Sequence, residues 1–126
     1  MRETVKVLFV DDEPDIRTIV EISLGLDPGI DLRSIASGSE AIALVDSGGF
    51  APDVILIDMR MPEMNGLELM THLRRRAVTS ETPVVFMTAS ARPADIDSYR
   101  EAGARDVIIK AFDPITLPAK IRSYCD

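Results

Sequence analysis

The sequence predicts an α/β domain in which five strands alternate with five helices, giving a five-stranded parallel sheet covered by helices on both faces. Three observations carry this. Short apolar runs, among them VKVLFV (5–10), VILI (54–57) and VVFM (84–87), are nearly continuous rather than alternating, as in strands buried on both sides. Segments with apolar residues at helical spacing separate them. Gly, Pro and Asp punctuate the junctions, and strand–helix alternation of this kind implies right-handed crossovers between parallel strands.

Taken in order, Val5 to Val10 is the first strand, and Pro14 suits the first turn of the helix that follows. Ile16, Ile19, Val20 and Leu24 recur at helical spacing until a break over residues 26–29. Residues 30–37 read as a more polar strand nearer an edge. A short helix over 39–47 carries Ala41, Leu44 and Val45 and stops at Gly48 and Gly49. Pro52-Asp53 introduces a buried strand over 54–57, closed by Asp58. The loop MRMPEMNG leads to a helix marked by Leu67, Met70 and Leu73, with Arg74, Arg75 and Arg76 on its last turn, where cations complement the dipole. A fourth strand over 84–87 ends at Thr88, a polar helix over 93–103 has a Gly stop, and a fifth strand over 107–109 ends at Lys110. Asp113-Pro114 starts the last helix, with Leu117, Ile121 and Tyr124 along one face.

Composition narrows the function. The 126 residues suit one domain spanning 1–126, with 46% apolar and 28% charged residues. Aromatics are 5% with no Trp, and net charge is −7, which argues against a base-stacking or polyanion-binding surface and so against direct nucleic-acid contact. Cys125 is the only cysteine, which excludes an intramolecular disulfide and makes a Cys-based metal cage implausible. The N-terminal apolar run is too short to span a bilayer, so no membrane association and a cytoplasmic location are expected.

In an open α/β sheet, ligands bind outside the carboxyl ends of the strands. Here those ends carry Asp11 and Asp12, Asp58, Thr88 and Lys110. Adjacent acids repel, by about 1 kcal/mol per pair in water and about 4 in a protein-like medium. Taken singly, each residue has an ordinary explanation: a helix cap for Asp11, Asp12 and Glu13, a loop acid for Asp58, strand propensity for Thr88, a solvated lysine for Lys110. Their joint placement on one rim is what those explanations omit. Carboxylate oxygens suit Mg²⁺, with Mn²⁺ as the substitute, and a cation would offset the repulsion. Thr88 and Lys110 would then serve an anionic phosphoryl group, with Asp58 as a nucleophile able to form an acyl phosphate.

LFVDDEPD, VILIDMRMPEMNG, PVVFMTA and GARDVIIKAF, in this order and spacing, resemble the response-regulator receiver domains of two-component signalling over essentially the whole chain. The resemblance implies a flavodoxin-like receiver sheet in strand order 2-1-3-4-5. It also implies a phosphorylation-activated switch that assists its own phosphorylation and dephosphorylation, rather than an enzyme acting on a separate metabolite. It makes Asp58 the phosphoacceptor, and Asp11, Asp12, Asp58 and the Arg60 main-chain carbonyl the protein's Mg²⁺ ligands. Thr88, the Ala89 N–H and Lys110 would hold the phosphoryl group. The implied partners are a histidine kinase or histidine phosphotransfer protein and a downstream target that the sequence does not specify. Arg60 and Ser90 fall at variable positions facing the line of water attack on the acyl phosphate, and Glu13 reads as a helix-start acid outside the metal shell.

The chain departs from the pattern twice. Family members usually carry an aromatic where Val107 stands, so output is expected through backbone shifts after Thr88 or through the surface of the fourth and fifth helices. The residue after the lysine is usually a proline with a cis bond; here it is Ala111. A cis bond before a non-proline residue costs about 2.5–4 kcal/mol, which leaves a strained cis bond and a trans bond with a re-aimed lysine both open. His72 falls on the face opposite Leu67, Met70 and Leu73, where no chemical role is expected.

Two competing classes are weaker. A Mg²⁺-dependent aspartyl-phosphate phosphohydrolase would need a second acid two residues after its nucleophile, where this chain has Arg60. A pseudo-receiver or flavodoxin-like cofactor binder fits poorly with a complete acid set, no Gly-rich phosphate loop and few aromatics. No helix-turn-helix fits after residue 124, so the chain reads as a stand-alone receiver or one excised from a longer protein.

Overall fold

The computed structural model describes residues 3–90 and 92–125. The elements alternate as β1 (Val5–Val10), α1 (Pro14–Leu24), β2 (Ile30–Ile35), α2 (Gly38–Asp46), β3 (Val54–Asp58), α3 (Gly66–Arg74), a 3-10 turn (Ala77–Thr79), β4 (Val84–Thr88), α4 (Pro93–Glu101), β5 (Asp106–Ile109) and α5 (Leu117–Ser123). All strand pairs are parallel and the order is β2-β1-β3-β4-β5. β3 and β4 bury every residue and β1 all but Lys6, whereas β2 buries none and β5 only Ile108. The continuous apolar runs are therefore the central strands, and the polar ones lie at the edges.

Side-chain alternation sorts the core into two layers. Val7, Phe9, Leu56 and Met87 pack against Val20 and Leu24 of α1 and Leu117 and Ile121 of α5. Leu8, Val10, Ile57 and Phe86 pack against Ala41 and Val45 of α2 and Leu69, Met70 and Leu73 of α3. Burying each such aliphatic side chain contributes about 1.5–3 kcal/mol. α4 differs from the other helices, because it buries no residue. Tyr99, set edge-on to Phe86 with ring centroids 5.7 Å apart, and Arg100, paired with Asp106 of β5 at 2.9 Å, tie it to the sheet.

Several boundaries differ from the sequence reading. The buried stripe of α3 is Leu69, Met70 and Leu73, with Leu67 only half-buried. Of the three arginines, only Arg74 lies within α3. Its Nη1 donates to the Thr79 and Thr82 carbonyls, while Arg76 leaves the helix and pairs with Asp46. Those bonds hold the 3-10 turn that periodicity could not show. α5 begins at Leu117, because Asp113 first forms its own turn, its carboxylate accepting the Ile115 N–H. Asn65-Gly66 opens α3 through a capping box with Glu68. Gly66 lies so close under the end of β3 that a Cβ there would stand 3.0 Å from the Asp58 carbonyl oxygen and 3.1 Å from the Met59 Cα.

Candidate functional site

Register brings the strand ends together. Asp58 pairs with Met87 and Thr88 with Ile109. One further backbone bond continues each of three ladders past the strand, from Asp11 N–H to Ile35, Met59 N–H to Met87 and Lys110 N–H to Thr88. These bonds fix the rim on which Asp11, Asp12, Asp58, Thr88 and Lys110 converge.

Asp11 and Asp58 are wholly buried, at 0% and 1% exposure, and Thr88 nearly so. Lys110 Nζ stands 3.1 Å from Asp58 Oδ1, 3.6 Å from Asp11 Oδ2 and 2.8 Å from Glu13 Oε1. Asp11 Oδ1 accepts the Glu13 N–H at 2.9 Å, so one oxygen of this acid does perform the capping-type role of an ordinary helix-start residue. The others do not. Asp11 Oδ2, Asp12 Oδ1 and Asp58 Oδ2 are buried without a hydrogen-bond donor, and oxygens of these three acids and of Glu13 lie within 4.8 Å of one another. Buried carboxylate oxygens without donors are costly. An oxygen-seeking divalent cation would satisfy all three, so the donor set fits Mg²⁺ or Mn²⁺.

The electrostatics follow from this crowding. Burial, with the nearby Asp11 charge, pushes the Asp58 carboxyl up to about 6 despite the opposing pull of Lys110. Burial likewise raises Asp11 above the ordinary carboxylate range. Lys110 is pulled down by burial, but its bonds to Glu13 and Asp58 outweigh this and its ammonium is held above the usual lysine value. A cleft of about 270 Å³ opens over these groups, lined by Glu13, Asp58, Arg60, Thr88, Ala89 and Lys110.

The Response regulator receiver domain family profile matches residues 7–122. The chain belongs to the response-regulator receiver family. Receiver domains are switches of two-component signalling that work with histidine kinases or phosphotransfer proteins and bind Mg²⁺ at an acidic pocket. The receiver is 36% identical over 118 residues to "Probable transcriptional regulator ycf27" of Porphyridium aerugineum, covering 94% of this chain and 47% of that protein. It is 34% identical over 118 residues to "DNA-binding response regulator MtrA" of Mycolicibacterium smegmatis, covering 94% and 49%. The chain thus spans about half the length of these curated relatives. Among solved structures, the receiver domain of Francisella response regulator 1452 superposes with a TM-score of 0.85 at 27% identity over 97% of both chains. The chemotaxis response regulator CheY4 of Vibrio cholerae does so at 0.82 and 31%, over 96% of this chain and 98% of that one.

The receiver's two departures resolve as follows. No described peptide bond is cis, so Lys110–Ala111 is trans, in keeping with the cost of a cis bond before a residue other than proline. The lysine still reaches Asp58. Val107 is half-buried on the edge strand, beside a hollow of about 380 Å³ also lined by Ile109, Phe112 and Lys120. His72 is half-buried, and its carbonyl accepts from Arg76.

Three features escaped the sequence reading. Glu13 is not a spectator, since it makes the shortest contact to Lys110. Arg17 donates to the Asp11 carbonyl at 2.7 Å, a link that its position four residues after Glu13 on a first helical turn hints at. Ser90 joins Thr88 to α4: its N–H donates to Thr88 Oγ1 at 3.1 Å and its hydroxyl to Asp95 Oδ2 at 2.9 Å. No helix among the described residues is long and apolar enough to cross a membrane.

Proposed function

We propose that this chain, as a single receiver domain over residues 1–126, accepts a phosphoryl group on Asp58 from a partner's phosphohistidine and thereby changes which partner it binds. The observation that carries this reading is the Asp58 carboxylate: buried at the cleft, with one oxygen on Lys110 and the other without a hydrogen-bond donor. In the forward step an Asp58 oxygen attacks phosphorus, the P–N bond breaks, and the imidazole leaves neutral, its other nitrogen carrying the proton. Lys110 turns from the acids to the new phosphoryl oxygens, and the Thr88 hydroxyl and Ala89 N–H donate to them. Asp11, Asp12, Asp58 and the Arg60 carbonyl would hold Mg²⁺, or Mn²⁺ in its place. When bound, that ion supplies positive charge that lets an anionic donor approach an anionic carboxylate. Dephosphorylation is a separate step: water attacks phosphorus, the bond between phosphorus and the Asp58 oxygen breaks, and the products are the carboxylate and inorganic phosphate. Arg60, exposed at the cleft, and Ser90 flank that path and set the lifetime of the acyl phosphate.

The partners are a histidine kinase or histidine phosphotransfer protein and a target recognised after the switch. At a net charge of −7, residues 1–126 make no direct nucleic-acid contact in this reading, and the chain works in the cytoplasm. Incubation with Mg²⁺ and acetyl phosphate, followed by intact mass, tests it. The expected result is a gain of one phosphoryl group, absent in Asp58→Ala and after EDTA. Turnover of small phosphate esters without a stable adduct would instead indicate a phosphohydrolase, and no adduct while Mg²⁺ binds would indicate a pseudo-receiver.

A further inference from the structure

We propose that Glu13 is a positioning residue whose carboxylate holds the Lys110 ammonium beside Asp58, ready for an incoming phosphoryl group. The proposal rests on the reading of Asp58 as phosphoacceptor and adds what aims the lysine of that site. Three acids surround the ammonium, and its shortest contact is to Glu13, at 2.8 Å, against 3.1 Å to Asp58 and 3.6 Å to Asp11. The Lys110 backbone is pinned by the bond from its N–H to Thr88. Its charge, however, ends a flexible four-carbon stem and lies where its partners hold it.

Glu13 is placed for this task rather than for capping. It is the N-cap of α1, yet its side chain makes no capping bond to the helix. Its backbone is fixed from behind: its N–H donates to Asp11 Oδ1 at 2.9 Å, and Arg17 Nη1 donates to the Asp11 carbonyl at 2.7 Å. The carboxylate is spent on Lys110 instead, 97 residues on, in the cleft that both residues line. Asp11, Asp12 and Asp58 hold the buried oxygens without donors that a divalent ion would take, and carboxylates so engaged attract an ammonium less. Glu13, more than half exposed, keeps its charge for Lys110. An ammonium has three hydrogens to donate. One stays on Glu13 while the others pass from Asp11 and Asp58 to the phosphoryl oxygens.

Two measurements on the full chain test this: phosphoryl uptake from acetyl phosphate over a range of Mg²⁺, and urea midpoints without metal. Glu13→Ala is expected to slow uptake about two- to fivefold, the span of an ion pair with one exposed member. Glu13→Gln keeps an acceptor oxygen at the same reach and should fall between Glu13→Ala and wild type. The slowing should persist at saturating Mg²⁺. In a Lys110→Ala background, Glu13→Ala should slow uptake no further, because no ammonium is left to hold. Without metal, Glu13→Ala should lower the urea midpoint more in the wild type than in Lys110→Ala. Faster uptake in Glu13→Ala, equal effects in the two backgrounds, or slowing that raised Mg²⁺ removes would overturn the proposal, the last by making Glu13 a metal ligand. If the wild type takes up no phosphoryl group, the phosphoacceptor reading fails, and the paired urea midpoints alone decide whether Glu13 holds Lys110.

Discussion

Asp58→Asn is expected to make the metal-free protein harder to unfold at pH 7.5, by about 3 kcal/mol, while abolishing phosphoryl uptake. The folded state holds the Asp58 carboxyl at about 6, against 3.8 in the unfolded chain, because burial and the Asp11 charge disfavour its ionised form. Such a group contributes stability that is complete below pH 3.8 and is lost as pH rises through 6. Metal-free wild type should therefore gain stability on acidification from pH 7 towards pH 4, with most of the change between 6 and 4, and Asp58→Asn should lose most of that dependence. Adding Mg²⁺ should reverse the order at pH 7.5, since only the wild type keeps its full set of carboxylates. Urea unfolding across pH, with and without Mg²⁺, measures all of this. A metal-free Asp58→Asn midpoint below that of wild type would show that the carboxylate repulsion is relieved in some other way.

Lys110→Ala is expected to move stability the opposite way. The lysine side chain is 17% exposed and is the cation within reach of Asp11, Glu13 and Asp58 together. Removing one partner of a buried pair typically costs about 3–5 kcal/mol, and the opening of this cleft to solvent places the expected loss near 3. Mg²⁺ should restore part of that stability by replacing the missing charge near the carboxylates. It should not restore uptake, which needs the ammonium on the phosphoryl oxygens, and a fall of at least about tenfold is expected. Unfolding midpoints and labelling rates from one preparation separate the two roles. Equal stability of variant and wild type without metal would mean that solvent already screens the acids.

The central strands were legible because apolar runs of β1, β3 and β4 admit little else, and their ends fixed which polar residues share a rim. The edge position of β2 was readable from its polarity for the same reason. What was not legible was the choice each polar side chain makes among partners far away in the chain. Glu13 looks like a helix-start acid until Lys110, 97 residues on, is seen to select it. Arg76 looks like a helix-end cation until Asp46 draws it out of the helix. Ser90 and Asp95 fall at ordinary positions, a loop serine and a first-turn acid, and only the observed hydrogen bond gives them a joint meaning. The polarity of α4 was visible, but its consequence, a helix without a buried residue, needed the packing.

The most direct test of the account is where the phosphoryl group is attached. The protein would be labelled with acetyl phosphate and Mg²⁺, reduced with borohydride, which converts an aspartyl phosphate to homoserine, and mapped by peptide mass. Homoserine at position 58 alone is the predicted result. Reduction at Asp11 or Asp12, or a borohydride-resistant phosphoryl group on His72, would contradict it.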